Sequence, residues 1–423
     1  MQQTSEVPEG WAKTPLVTCV DILDNQRIPV NSKEREKRFG DIPYYGATGQ
    51  VGWINDYLFD EELLLIGEDG APFFDKTKQI AYVIQGKSWV NNHAHVIRAI
   101  KELTSNKFLK YYLNFFDYNG YVTGTTRYKL NQGSMKKIPI ILPPLAEQHR
   151  IVTAIEALFA RLDAAEARLE RVPGIVHQFR QAIYWGLLTD FENSKKYVIK
   201  DVIVGTPQNG LYKPSSKYGA GTPIIRIDSF YEGKITDQII LKRLDCSESE
   251  INKFQLYDGD ILINRVNSLD FLGKCALIEN IEENTVFESN MMRITPNTNI
   301  INQKYLNHVL CSPFIKNQIL KKAKNAVNQS SINQKDVTSL VIYCRPLPEQ
   351  HEIARRVDAL FSLADQIEAN VAAAKDRTAK LCQSILAQAF SGQLVPTEAE
   401  LARREGREYE DANTLLMRIK AEK

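Results

Sequence analysis

Residues 144–163 read PLAEQHRIVTAIEALFARLD, and residues 346–365 read PLPEQHEIARRVDALFSLAD. The two stretches lie 202 positions apart (349 − 147 = 202). The offset holds upstream, where LNQGSMKKIPI at 130–140 matches INQKDVTSLVI at 332–342, and downstream, where FRQAI at 179–183 matches LCQSI at 381–385. An internal repeat of this kind decides architecture before any local propensity does. Ahead of the repeated block the match weakens and the offset drifts. DEELLLIGEDG at 60–70 resembles DGDILINRVNS at 258–268 at offset 198, and HAHVIR at 93–98 relates to SNMMRI through Arg98 and Arg293 at offset 195. The chain reads as variable region, constant helix, variable region, constant helix.

In the first constant segment apolar or small residues fall at Ile151, Ile155, Leu158, Leu162, Ala165, Leu169, Val172, Val176, Phe179 and Ile183. In the second they fall at Ile353, Val357, Leu360, Ala364, Ile367, Val371, Ala374, Thr378, Leu381 and Ile385. Spacing that alternates four and three is a heptad seam, which predicts coiled-coil helices rather than ordinary core helices. Prolines 143, 144, 346 and 348 stand at the helix starts, where the missing N–H costs nothing. Pro173-Gly174 predicts an interruption with a kink, and Ser391-Gly392 a C-terminal cap. Each helix is expected to run about 36 to 40 residues, or about 55 to 60 Å. Two halves related by a pseudo-two-fold would bring the helices together antiparallel, as a rod that spaces two unlike heads.

The variable regions carry short β-branched or apolar runs (LLLIG, AYVIQ, HVIRAI, DILINRV, IPIIL) bounded by Gly, Asp, Asn and Pro, with helical stretches near 107–116 and 304–323. The fold class expected is α/β (α+β): two mixed domains separated by two long helices in a tandem repeat. The boundaries expected are 1–143 and 192–345 for the domains, 144–191 and 346–395 for the helical spacers, and 396–423 for a charged tail. That tail has an apolar stripe at Leu415, Leu416 and Ile419 and is expected to dock as a helix against the rod or a partner.

At 423 residues and 43% apolar the chain is long enough for roughly three domains. MQQTSEVPEGWAK has no basic stretch followed by an apolar run, which argues against a signal peptide, and no run approaches the roughly 18 apolar residues of a membrane span. The six cysteines are scattered without a CxxC pair and are expected to be buried free thiols in a reducing cytoplasm. A net charge of +2 means that any surface for a polyanion must come from local segregation. KEREKR at 33–38 and the run Lys316, Lys321, Lys322, Lys324 are the places that suggest it.

Motifs for catalysis are missing. AYVIQGKS at 81–88 lacks the first Gly of a phosphate-binding loop, GYVTGT at 120–125 is not GxGxxG, and neither [ND]-P-P-[FY] nor FxGxG occurs. His93 and His95 share one side of a strand, with a structural role as the default reading; no metal site is expected. The chain is therefore expected not to be an enzyme.

PLPEQHEIARRVDALF with its weaker copy, the following SILAQAFSGQLVP, VPEGW at 7–11, GATGQVGWINDYLFDEELLLIGEDGA at 46–71 and VNNHAHVIR at 90–98 together resemble the specificity (S) subunit of type I restriction–modification systems. The first copy departs late, reading AIYWGLLTDF where the second has SILAQAFSGQL. The resemblance implies two target-recognition domains, each reading one half of an asymmetric double-stranded DNA site, and helices that set the spacer. It implies docking of two methyltransferase (M) subunits that carry S-adenosylmethionine, and restriction (R) subunits that use ATP and Mg²⁺. It places the chain in a prokaryotic cytoplasm with no cofactor of its own. A phage-defence system without an R subunit, or a coiled-coil adaptor that binds proteins, are the alternative readings.

Base readout calls for Arg, Lys, Asn or Gln in loops, and phosphate contacts for cations and hydroxyls. In the first domain the candidates are Arg127 and Lys129 in TGTTRYK, Tyr44, Tyr45 and Thr48 in PYYGATG, and Asn91 with Asn92. In the second they are Asn328, Gln329 and Ser330 in NAVNQSS, with Arg226, Asn264, Arg265 and Asn267.

Overall fold

The computed structural model describes residues 7–188, 192–231, 233–235, 241–326 and 329–422. It divides into two units. Unit 1 comprises Met1–Glu170 with Ala372–Lys423, and unit 2 comprises Arg171–Val371. Each unit thus takes one part of each long helix.

Among the described residues, unit 1 has ten strands: β1 (Ala12–Pro15), β2 (Val20–Ile22), β3 (Ile42–Gly46), β4 (Gly49–Ile54), β5 (Phe59–Asp60), β6 (Leu63–Gly67), β7 (Ala81–Ile84), β8 (Lys87–Val90), β9 (Ala94–Ala99) and β10 (Pro139–Leu142). They form sheets β2-β9-β6-β7 and β4-β3-β8-β5, with β1 pairing β10 antiparallel. Leu64, Ile66 and Ile97 point to the core shared with the helices, while Leu63, Leu65 and Val96 point to a second core. Ser105 caps helix Asn106–Phe115 through the Phe108 N–H, and Asn131 caps Gln132–Lys136 through the Ser134 N–H.

The first long helix is Leu145–Leu188 and the second is Leu347–Phe390, 44 residues each and longer than predicted. Both ends obey the repeat: 347 − 145 = 202 and 390 − 188 = 202. Helix geometry continues through Pro173, so the predicted interruption does not occur. The proline removes one backbone bond, and its helical neighbours retain theirs. The second helix stops where predicted, with Gly392 in the left-handed region at φ 77°.

The repeated EQH explains why each helix starts where it does. Gln148 is buried; its amide donates to the Leu103 and Pro143 carbonyls, and it accepts from the Thr104 hydroxyl. Gln350, its copy, is also buried; it donates to the Ile300 and Arg345 carbonyls and accepts from the Asn302 N–H. One glutamine clamps each long helix to the domain ahead of it. The preceding glutamates differ. Glu349 is exposed and pairs with Arg345, whereas Glu147 is fully buried.

Glu147 accepts from Trp11 Nε1 at 2.9 Å and from the Glu398 N–H at 2.8 Å. Glu398, also buried, pairs with Arg150 at 2.7 Å and Arg407 at 2.6 Å. The tail therefore closes onto unit 1. Thr397 and Glu400 form a capping box on helix Glu398–Glu405, Ala412 N–H donates to the Gly10 carbonyl, and Leu415, Leu416 and Ile419 enter the core. In the same core, Ile151 and Ile155 of the first helix meet Leu386, Ala389 and Phe390 of the second.

Unit 2 contains β11 (Lys195–Val198), β12 (Ile203–Asn209), β13 (Tyr218–Ile225), β14 (Phe230–Tyr231), β15 (Gly233–Ile235), β16 (Lys242–Leu244), β17 (Ile261–Asn264), β18 (Val266–Asn267), β19 (Cys275–Leu277), β20 (Val286–Phe287), β21 (Met291–Pro296), β22 (Lys324–Ala326), β23 (Gln329–Ser331) and β24 (Val341–Cys344). The sheets run β12-β21-β17-β19-β15-β14, β16-β13-β20 and β18-β23-β22, and β11 pairs β24 as β1 pairs β10. Arg180 bonds Asp365 and Glu368, and Tyr184 meets Phe361 edge-on at 5.2 Å. Rising numbers on one helix meet falling numbers on the other, so the pairing within this unit is antiparallel.

The heptad seam is only partly a seam. Ile151, Ile155 and Val357 are buried, and Leu158, Leu162, Leu169, Ile353, Leu360, Ile367, Val371 and Ile385 are half-buried. Leu381 is a correction: it is 50% exposed, and Leu386, Ala389 and Phe390 are buried in its place. The end of the second helix packs against helix Asn106–Phe115, where Phe390 meets the rings of Phe108, Tyr112 and Phe115, and such a contact follows a 3.6-residue stripe that drifts from a strict heptad. Of the six cysteines, Cys19, Cys275 and Cys344 are buried; Cys246, Cys311 and Cys382 are only half-buried, a correction to full burial.

A further correction concerns register. β6 pairs β9 with Leu64 opposite Ile97, and β17 pairs β21 with Leu262 opposite Arg293. The helix-facing residues are Leu64 and Ile66 in β6 but Ile261 and Ile263 in β17. Offset 198 would place helix-facing residues on the wrong face; offset 199 does not. Offset 195 for β9 and β21 stands, since Ile97 and Met292 both face the helices. Two ion pairs agree: Arg98–Glu61 in unit 1 and Arg293–Asp260 in unit 2 (293 − 98 = 195; 260 − 61 = 199). LLLI and ILI are buried on both faces, so no alternation marks their register in the sequence.

In unit 2, Ser247 and Glu250 form a capping box on helix Glu248–Phe254, and Lys213 lies 2.8 Å from the Glu250 carboxylate. The Lys213 bond, with the Ser247 N–H, holds the Glu250 carboxyl down to about 2. The interaction should be complete above the ordinary value of 4.5 and fade as pH falls through about 2. Carboxyl ¹³C titration checks it: Lys213→Met is expected to move the Glu250 midpoint upward, and an unmoved midpoint would refute the pairing.

Candidate functional site

Four segments of unit 1 converge at one end of its sheets: the β3–β4 turn, the β8–β9 turn, the end of β6, and residues 123–129. The Asn91 N–H donates to the Tyr45 carbonyl and the Asn91 carboxamide accepts from the His93 N–H. His93 lies 3.5 Å from Asp69, and Arg127 Nε donates to Asp69 at 2.8 Å. Residues 123–129 close on themselves through reciprocal Thr123–Lys129 backbone bonds, and Leu130 N–H donates to the Glu68 carbonyl.

Of the sequence candidates here, Arg127 (side chain 62% exposed), Lys129, Thr48 and Asn92 are exposed, and Tyr45 is half-buried. Tyr44 is a correction. It is 1% exposed, and its hydroxyl donates to the Val30 carbonyl and accepts from the Val30 N–H. Strand alternation sends its neighbour Tyr45 to the opposite face, where it is half-buried against the second core with its ring centre 6.1 Å from that of Tyr82. Asn91 is likewise buried and acts as a turn residue. Arg35, absent from the candidates, lies with its guanidinium 4.7 Å from the Tyr44 ring centre and lines the depression beside Asn91 and Asn92. Its signal was the KEREKR charge run.

In unit 2 the residues gather around the turn at 288–290. Arg226 Nε is 3.4 Å from Glu288, Arg265 donates to the Ser289 carbonyl, and Arg265 N–H donates to the Asn290 carbonyl. Asn267 pairs with Ser330 across β18 and β23, and Gln329 is exposed beside it. Asn264 and Ser330 are corrections too: both are buried and do not present their side chains at a surface, and Asn264 shares the inward face of Leu262. Asn328 lies outside the described residues. Lys316 is also corrected: its ammonium caps the Leu269, Asp270 and Leu272 carbonyls.

Two residues escaped the sequence reading. Tyr212, 78% exposed, follows Leu211, which is bonded to both sides of the 288 turn. Lys274 sits 4.0 Å from the Tyr231 ring centre and 4.7 Å from that of Phe230, and burial pushes its ammonium down to about 8. Neither carries a local motif; only the fold brings them to this end. Among the described residues, no His, Cys, Asp and Glu group is placed to hold a metal, and no helix is long and apolar enough to cross a membrane.

The family model for the type I restriction modification DNA specificity domain matches this chain twice, at residues 8–173 and 192–374. The chain is 35% identical to the EcoKI specificity subunit of Escherichia coli (strain K12), over 92% of this chain and 90% of that one. It is 28% identical to the StySPI specificity subunit of Salmonella potsdam, with the same coverage. A chain solved in work on complex assembly and conformational transition of the type I R-M system shares the fold, with TM-score 0.70, 16% identity, and 92% and 100% coverage. So does the HsdS subunit from Thermoanaerobacter tengcongensis, with TM-score 0.57, 18% identity, and 92% and 99% coverage.

Proposed function

The chain belongs to the type I restriction–modification DNA specificity family, and on that premise we propose that each unit reads one half of an asymmetric, two-part DNA site. The observation that carries this reading is a repeated scaffold with unlike surfaces. The clamps, caps and Arg–carboxylate pairs recur between the units, whereas the repeat offset of 202 sets Arg127 and Lys129 of the first unit against Gln329 and Ser331 of the second, residues of different charge. One scaffold with two contact sets suits two different half-sites. Cations and amides at loop ends are the groups that phosphates and base edges require.

In this reading the segments 1–143 and 192–345 do the recognition, and 144–191 and 346–395 set the spacer and dock two methyltransferase subunits. Adenine methylation with S-adenosylmethionine belongs to those subunits, and ATP- and Mg²⁺-dependent translocation and cleavage to restriction subunits, in a prokaryotic cytoplasm. This chain supplies recognition and no catalytic group.

Selection of duplexes from a random pool by the complex with methyltransferase subunits tests the reading: a gapped two-part motif is expected, and no enrichment would refute it. On the selected duplex, Arg127→Ala should weaken binding by roughly 1–3 kcal/mol if the guanidinium meets a base edge, and only when the first half-site is intact. Equal weakening on a duplex with that half scrambled would assign Arg127 to phosphates instead.

A further inference from the structure

His95 on β9 is 1% exposed and holds two acceptors apart. Its Nδ1 lies 2.7 Å from Asp24 Oδ2, and its Nε2 lies 2.8 Å from the Leu130 carbonyl oxygen. A carbonyl only accepts, and so does an ionised carboxylate. Burial alone pushes the Asp24 carboxyl up, but the His95 hydrogen bond and charge, with the Gln132 amide and the Val96 N–H, hold it below its ordinary value. Both bonds exist together only if both ring nitrogens carry hydrogen, which makes the ring an imidazolium.

The charges around the ring fit a cation. Asp24 stands at 2.7 Å and Glu68 at 3.7 Å, and Arg27 pairs with both carboxylates, at 3.5 and 2.7 Å. With His95 protonated, these four groups sum to zero (two negative, two positive). Lys129 lies 3.5 Å from Glu68 on the solvent side, and Asp69 with Arg127 and His93 lies beyond it. Leu130 ends the segment that carries Arg127 and Lys129, and Asp24 belongs to the turn Asp24–Gln26 before it in sequence. His95 therefore ties the base of that segment to the interior of unit 1.

We propose that His95, donating from both ring nitrogens, is a positioning residue that sets residues 123–130 for reading the first half-site and makes that reading depend on pH. The proposal rests on Arg127 and Lys129 meeting DNA. When the ring loses a proton to solvent, Asp24 retains the remaining hydrogen on Nδ1. Nε2 then presents a lone pair to the Leu130 oxygen, and the segment is released. The seated state binds one more proton than the released state, so seating is favoured at low pH and lost as pH rises.

The test uses the whole chain with its methyltransferase subunits. Binding is compared between the selected duplex and one with the first half scrambled, from about pH 5 to about pH 8, the range in which histidine changes charge. Wild-type preference for the intact first half should fall by up to about tenfold as pH rises, the scale of one hydrogen bond. In His95→Gln the amide nitrogen takes the place of Nε2, and the preference should survive with a flat pH profile. In His95→Asn the amide takes the place of Nδ1, Leu130 is left unpaired, and the preference should be lost at every pH.

Two readouts separate the outcomes. The chain has six histidines, so the signal that vanishes in His95→Gln identifies the His95 ring nitrogens by ¹⁵N spectroscopy. A bare ring nitrogen at low pH overturns the proposal. Failure of Arg127→Ala to alter first-half preference removes the reading beneath it. If Arg127→Ala acts but the Asn and Gln variants of His95 behave alike, the positioning role falls and the DNA reading stands.

Discussion

Trp11→Ala is expected to destabilise unit 1 by roughly 4 kcal/mol, the scale of removing a large buried aromatic. Trp11 is 4% exposed, and its indole N–H is one of two donors that hold the buried Glu147 carboxylate. Burial already pushes the Glu147 carboxyl up, against the pull of those two bonds. The alanine would leave a cavity where the N-terminal segment, the start of the first long helix and the tail meet, and one carboxylate oxygen without its donor. Because domain stabilities are about 5–15 kcal/mol, this is a large share of the total. Hydrogen exchange of the unit 1 strands measures it; protection within about 1 kcal/mol of wild type would show that the junction does not hold the unit together. Trp11→Phe keeps most of the apolar contact and isolates the bond to Glu147.

Gln148→Leu should cost roughly 3 kcal/mol, since it preserves bulk but leaves the Leu103 and Pro143 carbonyls and the Thr104 hydroxyl without their partner, at ~1 kcal/mol or more for each buried group. Gln350→Leu should do the same in unit 2 by stranding the Ile300 and Arg345 carbonyls and the Asn302 N–H. Exchange of peptides around 100–150 in the first variant and 298–352 in the second reads each loss separately. A variant as protected as wild type would mean that the repeated glutamine is not the clamp.

The family reading came from the repeated helical motif, and its elements were legible because helix starts, caps and strand pairings are local or recur at a constant offset. Asn131 and Asn333 cap equivalent helices, and β10 and β24 pair equivalent partners. The candidate surface was less legible. Tyr44 and Tyr45 are adjacent residues of one type, yet one is fully buried and the other is half-exposed on the opposite face of the strand. Residue type names what a side chain can bond, but burial decides whether a ligand meets it.

By itself, the sequence determined the tandem plan, the two long helices and the kinds of groups available to meet DNA, because these depend on periodicity and repetition along the chain. Tertiary structure alone decided that Glu147 and Glu349, copies of one residue, differ in role. The Glu398 N–H of the tail meets Glu147 in a buried junction, whereas Glu349 is exposed and pairs with Arg345. It also decided the strand register, since runs buried on both faces carry no alternation to reveal it. Lastly, it placed the Leu130 carbonyl against His95, a contact between residues 35 positions apart that only the folded chain creates.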